Sequence, residues 1–253
     1  MIQKINQNYD WLFKQSYEEK DLKLNNFDGF SLVNIPHTNK ETPINNFDEG
    51  ISHIVSIYKK IIEIEEINHI YNLVFEGIGH YSKLYVNTSY VAEHKCGYTR
   101  FKADITKYLK PGKNEIAVIV DSREIYQPPF GFVIDYLCFG GMYRECYLEL
   151  LNDNHFTDYY FHNDDNHFYV DFNVANSNAN IKVLIKDNDK IIYDDTFKAT
   201  DKISGSINRF ELWDIDNPKL YTLELQLINN STIIDIVTEK IGFRTISFTE
   251  TGF

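Results

Sequence analysis

No run of apolar residues in this 253-residue chain approaches the roughly 20 that a membrane-spanning helix needs. The densest stretch, ISHIVSIYKKIIEIEEI, carries His, Lys and Glu throughout. The opening residues, MIQKINQNYDWLFKQ, lack the uninterrupted apolar segment of a secretory signal, so none is expected. Positive charge is also scarce. Lys and Arg number 25 against 37 Asp and Glu, for a net charge of -12. Nucleic-acid binding needs a basic footprint, so neither nucleic acid nor an anionic membrane surface is an expected partner. Cysteine is limited to Cys96, Cys138 and Cys146, an odd set without C-x-x-C spacing. That disfavours a disulfide framework, suits a cytoplasmic setting and predicts three buried thiols. There is no G-x-S-x-G, no Walker loop and no nucleotide-binding glycine fingerprint. No cofactor is expected in this chain.

What is present is aromatic and strand-like. Tyr and Phe each number 18 and aromatics reach 15%, which favours pleated structure. Apolar-rich runs recur between turn signals, as in LYVN, NEIAVIVD, ECYLELL, HFYVDFNV, IKVLIKD, YTLELQLI and STIIDIVTEKIGF. Phe168, Val170, Phe172 and Val174 alternate with Tyr169, Asp171 and Asn173, the period of a half-buried strand. Asp187, Asn188 and Asp189 sit between two such runs and read as a hairpin turn. A helical turn is expected over Asp104–Tyr108, ended by Pro111-Gly112, and the segment Asp10–Tyr17 reads either way. LNDNHF interrupts the strand pattern with turn formers. The spacing predicts two β-sandwiches, residues 1–151 and 152–248, with 249–253 beginning a linker.

Several segments carry a more specific pattern. Ile35-Pro36-His37 ends an early strand, and Val74-Phe75-Glu76-Gly77-Ile78 begins a later one. Leu84-Tyr85-Val86-Asn87 leads to Gly97-Tyr98-Thr99-Arg100-Phe101 and then Asp104-Ile105-Thr106. Gly140-Gly141-Met142-Tyr143-Arg144 precedes a strand. Further on come Leu212-Trp213, Asn217-Pro218-Lys219-Leu220-Tyr221 and Ile241-Gly242-Phe243-Arg244. Together these resemble the front of family 2 glycoside hydrolases, the β-galactosidase and β-glucuronidase group. The resemblance implies an all-β chain, a galactose-binding-like jelly roll followed by an immunoglobulin-like sandwich. There are departures. Thr88 stands where the family has a hairpin Gly, and Cys96 where it has the first Gly of a Gly-Gly-Tyr. Thr is a poor residue for the φ > 0 of a tight hairpin, so a different or longer turn is expected there.

In that family the catalytic carboxylates lie in a barrel that follows these two domains. The resemblance therefore implies that catalytic residues are absent from this chain. It implies a non-catalytic front portion of a retaining glycosidase, of which β-galactosidase fits best. The expected partners are a barrel of the same polypeptide, a β-galactoside substrate and further copies in a homo-oligomer. The resemblance also places Asp135 on a loop reaching the substrate, where a carboxylate can accept two sugar hydroxyls. Asn45 and Asn46 lie in a second loop that approaches the same site. Arg144 and Arg244 are expected to make charge-assisted hydrogen bonds to buried carbonyls or carboxylates. No metal is expected, and His162, Asp164, Asp165 and His167 read as a solvated loop. Two alternatives stay open. A β-glucuronidase or β-mannosidase would share the motifs, but a glucuronidase needs a cation for its substrate, and none is obvious. A free-standing carbohydrate-binding module would need exposed aromatics for sugar rings to stack on.

Overall fold

A computed structural model describes residues 3–41, 43–45, 49–123, 139–175, 178–198, 200–246 and 248–252. The chain divides into two compact units, Gln3–Leu150 and Leu151–Phe253. Each is built from strands, and no helix among the described residues is long and apolar enough to cross a membrane.

The first unit has two sheets. The smaller orders β1 (Gln3–Asn6), β10 (Cys146–Leu151), β5 (Ile70–Phe75) and β8 (Phe101–Asp104) side by side. The larger orders β3 (Ser31–Val33), β2 (Trp11–Lys14), β4 (Val55–Ile64), β9 (Gly112–Asp121), β6 (Tyr81–Val86) and β7 (Ser89–Lys95). The core takes one face of each. Trp11, Tyr58, Leu73, Phe75, Leu84, Ile116, Val118 and Val120 are all buried in one cluster. Alternation would leave the other face of β9 wet. Instead Ile57, Ala117 and Ile119 form a second cluster, covered by Tyr17, Leu22, Phe30 and Tyr85. That cover also buries an ion pair. Lys59 and Glu115 meet at 2.8 Å, with side chains 0% and 3% exposed. Lys59 donates to the carbonyls of Lys23 and Asn26, and Glu115 accepts the Asn25 amide.

The expected change of turn at Thr88 does not occur. Val86 pairs with Ser89 across a two-residue turn with Asn87 at φ 50° and Thr88 at φ 69°. The Asn87 side chain donates to the Tyr108 carbonyl and to Asn114, and accepts the Glu115 amide. These bonds hold the turn in a conformation that Thr would not choose alone. The helical turn is present but shorter than expected, a 3₁₀ turn over Thr106–Tyr108. Of the three thiols, Cys146 is buried and Cys96 only partly so. Cys138 lies outside the described residues.

The second unit packs β11 (His155–Asp164), β12 (His167–Ala175) and β15 (Lys202–Ser206) in one sheet. The other sheet orders β14 (Lys190–Phe197), β13 (Asn180–Asp187), β16 (Tyr221–Asn229) and β17 (Thr232–Ile241). Phe168, Val170 and Phe172 point inward with Val183, Ile185, Leu223 and Leu225, as the alternation predicts. The Asn188 turn joins β13 to β14. The His162–His167 segment is not an open loop. It forms the ends of β11 and β12 around a turn at Asp165, and His162 stacks on Tyr169 with centroids 4.9 Å apart.

Candidate functional site

Asp135 and Asn46 lie outside the described residues. Asn45 is exposed at a bend. What the structure does show is how the flanks of these two segments are held. The chain after His37 and the chain before Met142 run together. The His37 amide donates to the Met142 carbonyl at 2.8 Å, and the Asn39 amide to the Gly140 carbonyl at 3.0 Å. Gly79 and Gly141 exchange a second pair of bonds at 2.9 and 3.1 Å. A methyl group on Gly140 would lie 2.3 Å from Ser122 Cβ, and one on Gly141 would lie 2.6 Å from the His37 carbonyl. Gly141 also has φ +114°, so both glycines are required, one for space and one for conformation as well.

Ser122 is the centre of this corner. Its hydroxyl accepts the Asn39 side-chain amide at 2.7 Å. Its one proton is shared between the carbonyls of Ser52 at 2.5 Å and Ile54 at 3.0 Å. Ser122, Asn39 and Ser52 are all buried. Three segments far apart in sequence are thereby tied at one point. One is the stretch that leads to Asn45, another is the turn at Ser52, and the third is the strand end that leads toward Asp135. His37 adds a contact from its Nδ1 to the Tyr58 hydroxyl at 2.8 Å. Burial holds the His37 imidazole below its ordinary range, with Glu41 offsetting part of that, and burial raises the Tyr58 phenol. Both groups are thus neutral near pH 7, which suits a hydrogen bond and not an ion pair.

Sequence reasoning named Pro36-His37 and Gly140-Gly141 but did not join them, and it missed Asn39, Ser52 and Ser122. A single Ser or Asn carries no pattern that marks it as buried. The arginine expectation also fails among the described residues. Arg144 is exposed, its aliphatic stem lying against Gly77, and Arg244 engages Asn163 only through its backbone amide. Both guanidinium groups are on the surface, where water solvates them. No three His, Cys, Asp or Glu side chains among the described residues are grouped to hold a metal ion.

The motifs of the second unit are structural. The Trp213 amide donates to the Phe243 carbonyl at 2.7 Å, and the Tyr221 hydroxyl accepts the Glu211 amide at 2.7 Å. The Phe243 ring meets Phe161, Phe210 and Tyr221. Gly242 leaves room for the Trp213 indole.

Residues 27–151 match the sugar binding domain of glycosyl hydrolases family 2, and residues 153–244 match a second domain of glycosyl hydrolases family 2. The chain belongs to glycoside hydrolase family 2. It is 35% identical to a β-galactosidase of Thermoanaerobacter pseudethanolicus, over 98% of this chain and 36% of that protein. It is 30% identical to a putative β-glucuronidase of Formosa agariphila, over 98% of this chain and 32% of the other. This family 2 chain therefore spans about a third of the length of the curated relatives it matches. A β-glycosidase from Bacteroides vulgatus aligns over 97% of this chain and 34% of its own, with TM-score 0.80 and 25% identity. A Bifidobacterium dentium β-glucuronidase complexed with coumarin-3-O-glucuronide gives TM-score 0.84 over 98% of this chain and 49% of its own. At 17% identity that likeness speaks to the fold alone.

Proposed function

We propose that this chain is the supporting front portion of a retaining β-galactosidase. In that role it braces a catalytic barrel and lends a loop to the substrate pocket. The observation that carries this reading is the corner at Ser122. It ties together the two segments whose continuations hold Asp135, Asn45 and Asn46, by buried hydrogen bonds that a merely solvated loop would not need. Retaining hydrolysis uses two carboxyl groups about 5–5.5 Å apart, one as acid/base and one as nucleophile. In this reading the barrel supplies both. Asp135 then accepts hydroxyls of the bound sugar and fixes its orientation, which lowers the barrier by positioning.

The test is kinetic, in a full-length enzyme that contains this chain. Asp135→Ala is expected to raise KM strongly and lower kcat on a nitrophenyl galactoside. Unchanged kinetics would remove Asp135 from the site. The 253-residue chain alone is expected to be inactive, and robust turnover by pure protein would overturn the supporting role. The relationship to a putative β-glucuronidase favours one second reading. A higher kcat/KM on a glucuronide than on a galactoside would select it.

A further inference from the structure

The outer face of the six-stranded sheet carries a cavity of about 420 Å³, within the size range of small-ligand sites. It shares no residue with Asp135, Asn45 or Asn46. Its floor is apolar, from Val55 and Ile119. Its walls are aromatic, from Tyr17, Tyr81 and Tyr85. Its rim is ionic, from Glu19, Lys83 and Arg123, the last held by the buried Asp121 of the lining.

The strand register explains why these groups meet. Asp121 lies opposite Val55 on one side and Tyr81 on the other. Ile119 lies opposite Lys83, and Ala117 opposite Tyr85. Alternation puts all of them on the face away from the main core. Asp121 is buried and grips Arg123 through two nitrogens at 2.9 and 2.5 Å, which fixes the guanidinium at the cavity edge. Among the described residues, no hydrogen bond or ion pair occupies the Tyr17 and Tyr85 hydroxyls, the Glu19 carboxylate or the Lys83 ammonium. Burial, then the neighbouring Tyr85, raises the Tyr17 phenol, so it stays a neutral donor.

We infer that this cavity binds a neutral pyranose of an oligosaccharide, as a second carbohydrate site apart from the substrate pocket. Three features select that ligand. Tyrosine rings offer a surface for the apolar C–H face of a sugar. Carboxylate, ammonium, guanidinium and phenol groups supply both donors and acceptors for its hydroxyls. The lining is balanced in charge, two cations against two anions, in a chain whose net charge is -12. A balanced lining gives no net attraction to an acidic sugar, and the acidic chain repels one. This inference does not rest on the proposed function, because it concerns a face of the first unit with or without a barrel.

The experiment is saturation-transfer NMR and calorimetry on this chain, with lactose, cellobiose and methyl β-glucuronide as probes. A neutral disaccharide is expected to bind with Kd on the order of 1 mM. Tyr85→Ala and Tyr17→Ala are each expected to weaken it about tenfold, the loss of one stacking contact. Tyr85 also packs on Ile57, Ala117 and Ile119, so circular dichroism must show that its variant is folded. If it is not, Lys83→Gln, at a partly exposed position, carries the test with the same expected direction. Lys182→Gln in the second unit is expected to leave binding unchanged. Three results would overturn the inference. They are no binding of either disaccharide up to about 50 mM, full binding in the folded cavity variants, or tighter binding of the glucuronide.

Discussion

Among the described residues, the first unit buries Asp21, Asn39, Ser52, Lys59, His80, Glu115 and Ser122, while the second buries only His155 and Asp235 of its polar side chains. Connection length accounts for the contrast. The second unit joins many strands by hairpins with Asp165, Asn188 and Asn230-Ser231 at positive φ, and hairpins satisfy their own backbone groups. The first unit carries long stretches outside its long strands, among them Tyr17 to Phe30, Ile35 to Glu41 and Glu49 to Ile54. Their backbone groups need partners from elsewhere, and buried side chains supply them. The lesson is that polar burial marks where a β-sandwich carries extra chain.

The largest expected effects come from removing what each unit buries. Glu115→Ala leaves the Lys59 ammonium buried without its partner and should cost about 3–5 kcal/mol. The double replacement Lys59→Met with Glu115→Leu should cost far less, because neither charge remains. In the second unit the matching loss is apolar. Phe168→Ala deletes a fully buried ring against Phe161 and Tyr193 and should also cost about 3–5 kcal/mol. The chain allows the two to be read separately, since Trp11 lies in one unit and Trp213 in the other. Urea unfolding of Trp213→Phe follows the first unit, and Trp11→Phe the second. If Glu115→Ala changed only the Trp213 signal, the assignment of polar burial to the first unit would fail.

Next in size is the corner. Ser122→Ala leaves the Asn39 amide without its acceptor and should cost about 1–3 kcal/mol. Gly140→Ala forces a methyl group onto Ser122 and should do at least as much harm. In an active full-length enzyme both should raise KM at temperatures where the protein stays folded, since they move the flanks of the Asp135 segment. A loss of stability with KM intact would make the corner purely structural.

These sites differ in how far they could be read from sequence. Phe168, Val170 and Phe172 are legible because strand period maps directly onto burial. The fold follows from such runs together with motifs such as Asn217-Pro218 and Gly242-Phe243. Lys59 is not legible, since a lysine beside Tyr58 reads as a solvated face until Tyr17, Leu22 and Phe30 cover it. Asn39 and Ser122 are separated by 83 positions, and neither has a motif of its own. Thr88 misled because local propensity was weighed without the long-range bonds of Asn87. The candidate site is thus legible as two separate motifs, while the junction between them is visible only in three dimensions.

Acid should separate the units as well. Burial, and then the nearby His53, holds the His80 imidazole below its ordinary value of 6.5. Unfolding frees it to take up a proton, so the stability it contributes is present above pH 6.5 and is lost as pH falls below that value. The Trp11-reported stability should therefore fall as pH drops through roughly 6.5. His80→Asn should flatten that slope. A slope unchanged by the substitution would place the titrating group elsewhere.

The smallest effect is expected at a surface pair of the second unit. Lys182 and Asp194 meet diagonally across β13 and β14 at 3.1 Å, with side chains 29% and 44% exposed. Water screens the attraction, and holding two flexible side chains costs entropy, so such pairs contribute about 0–1 kcal/mol. Asp194→Asn should shift the Trp213-reported midpoint little, and less still as salt is raised. The distance is close to the 2.8 Å of Lys59 and Glu115, so the two pairs differ mainly in cover. A loss at Asp194 as large as that at Glu115 would mean that cover is not what matters, and the contrast between the units would collapse.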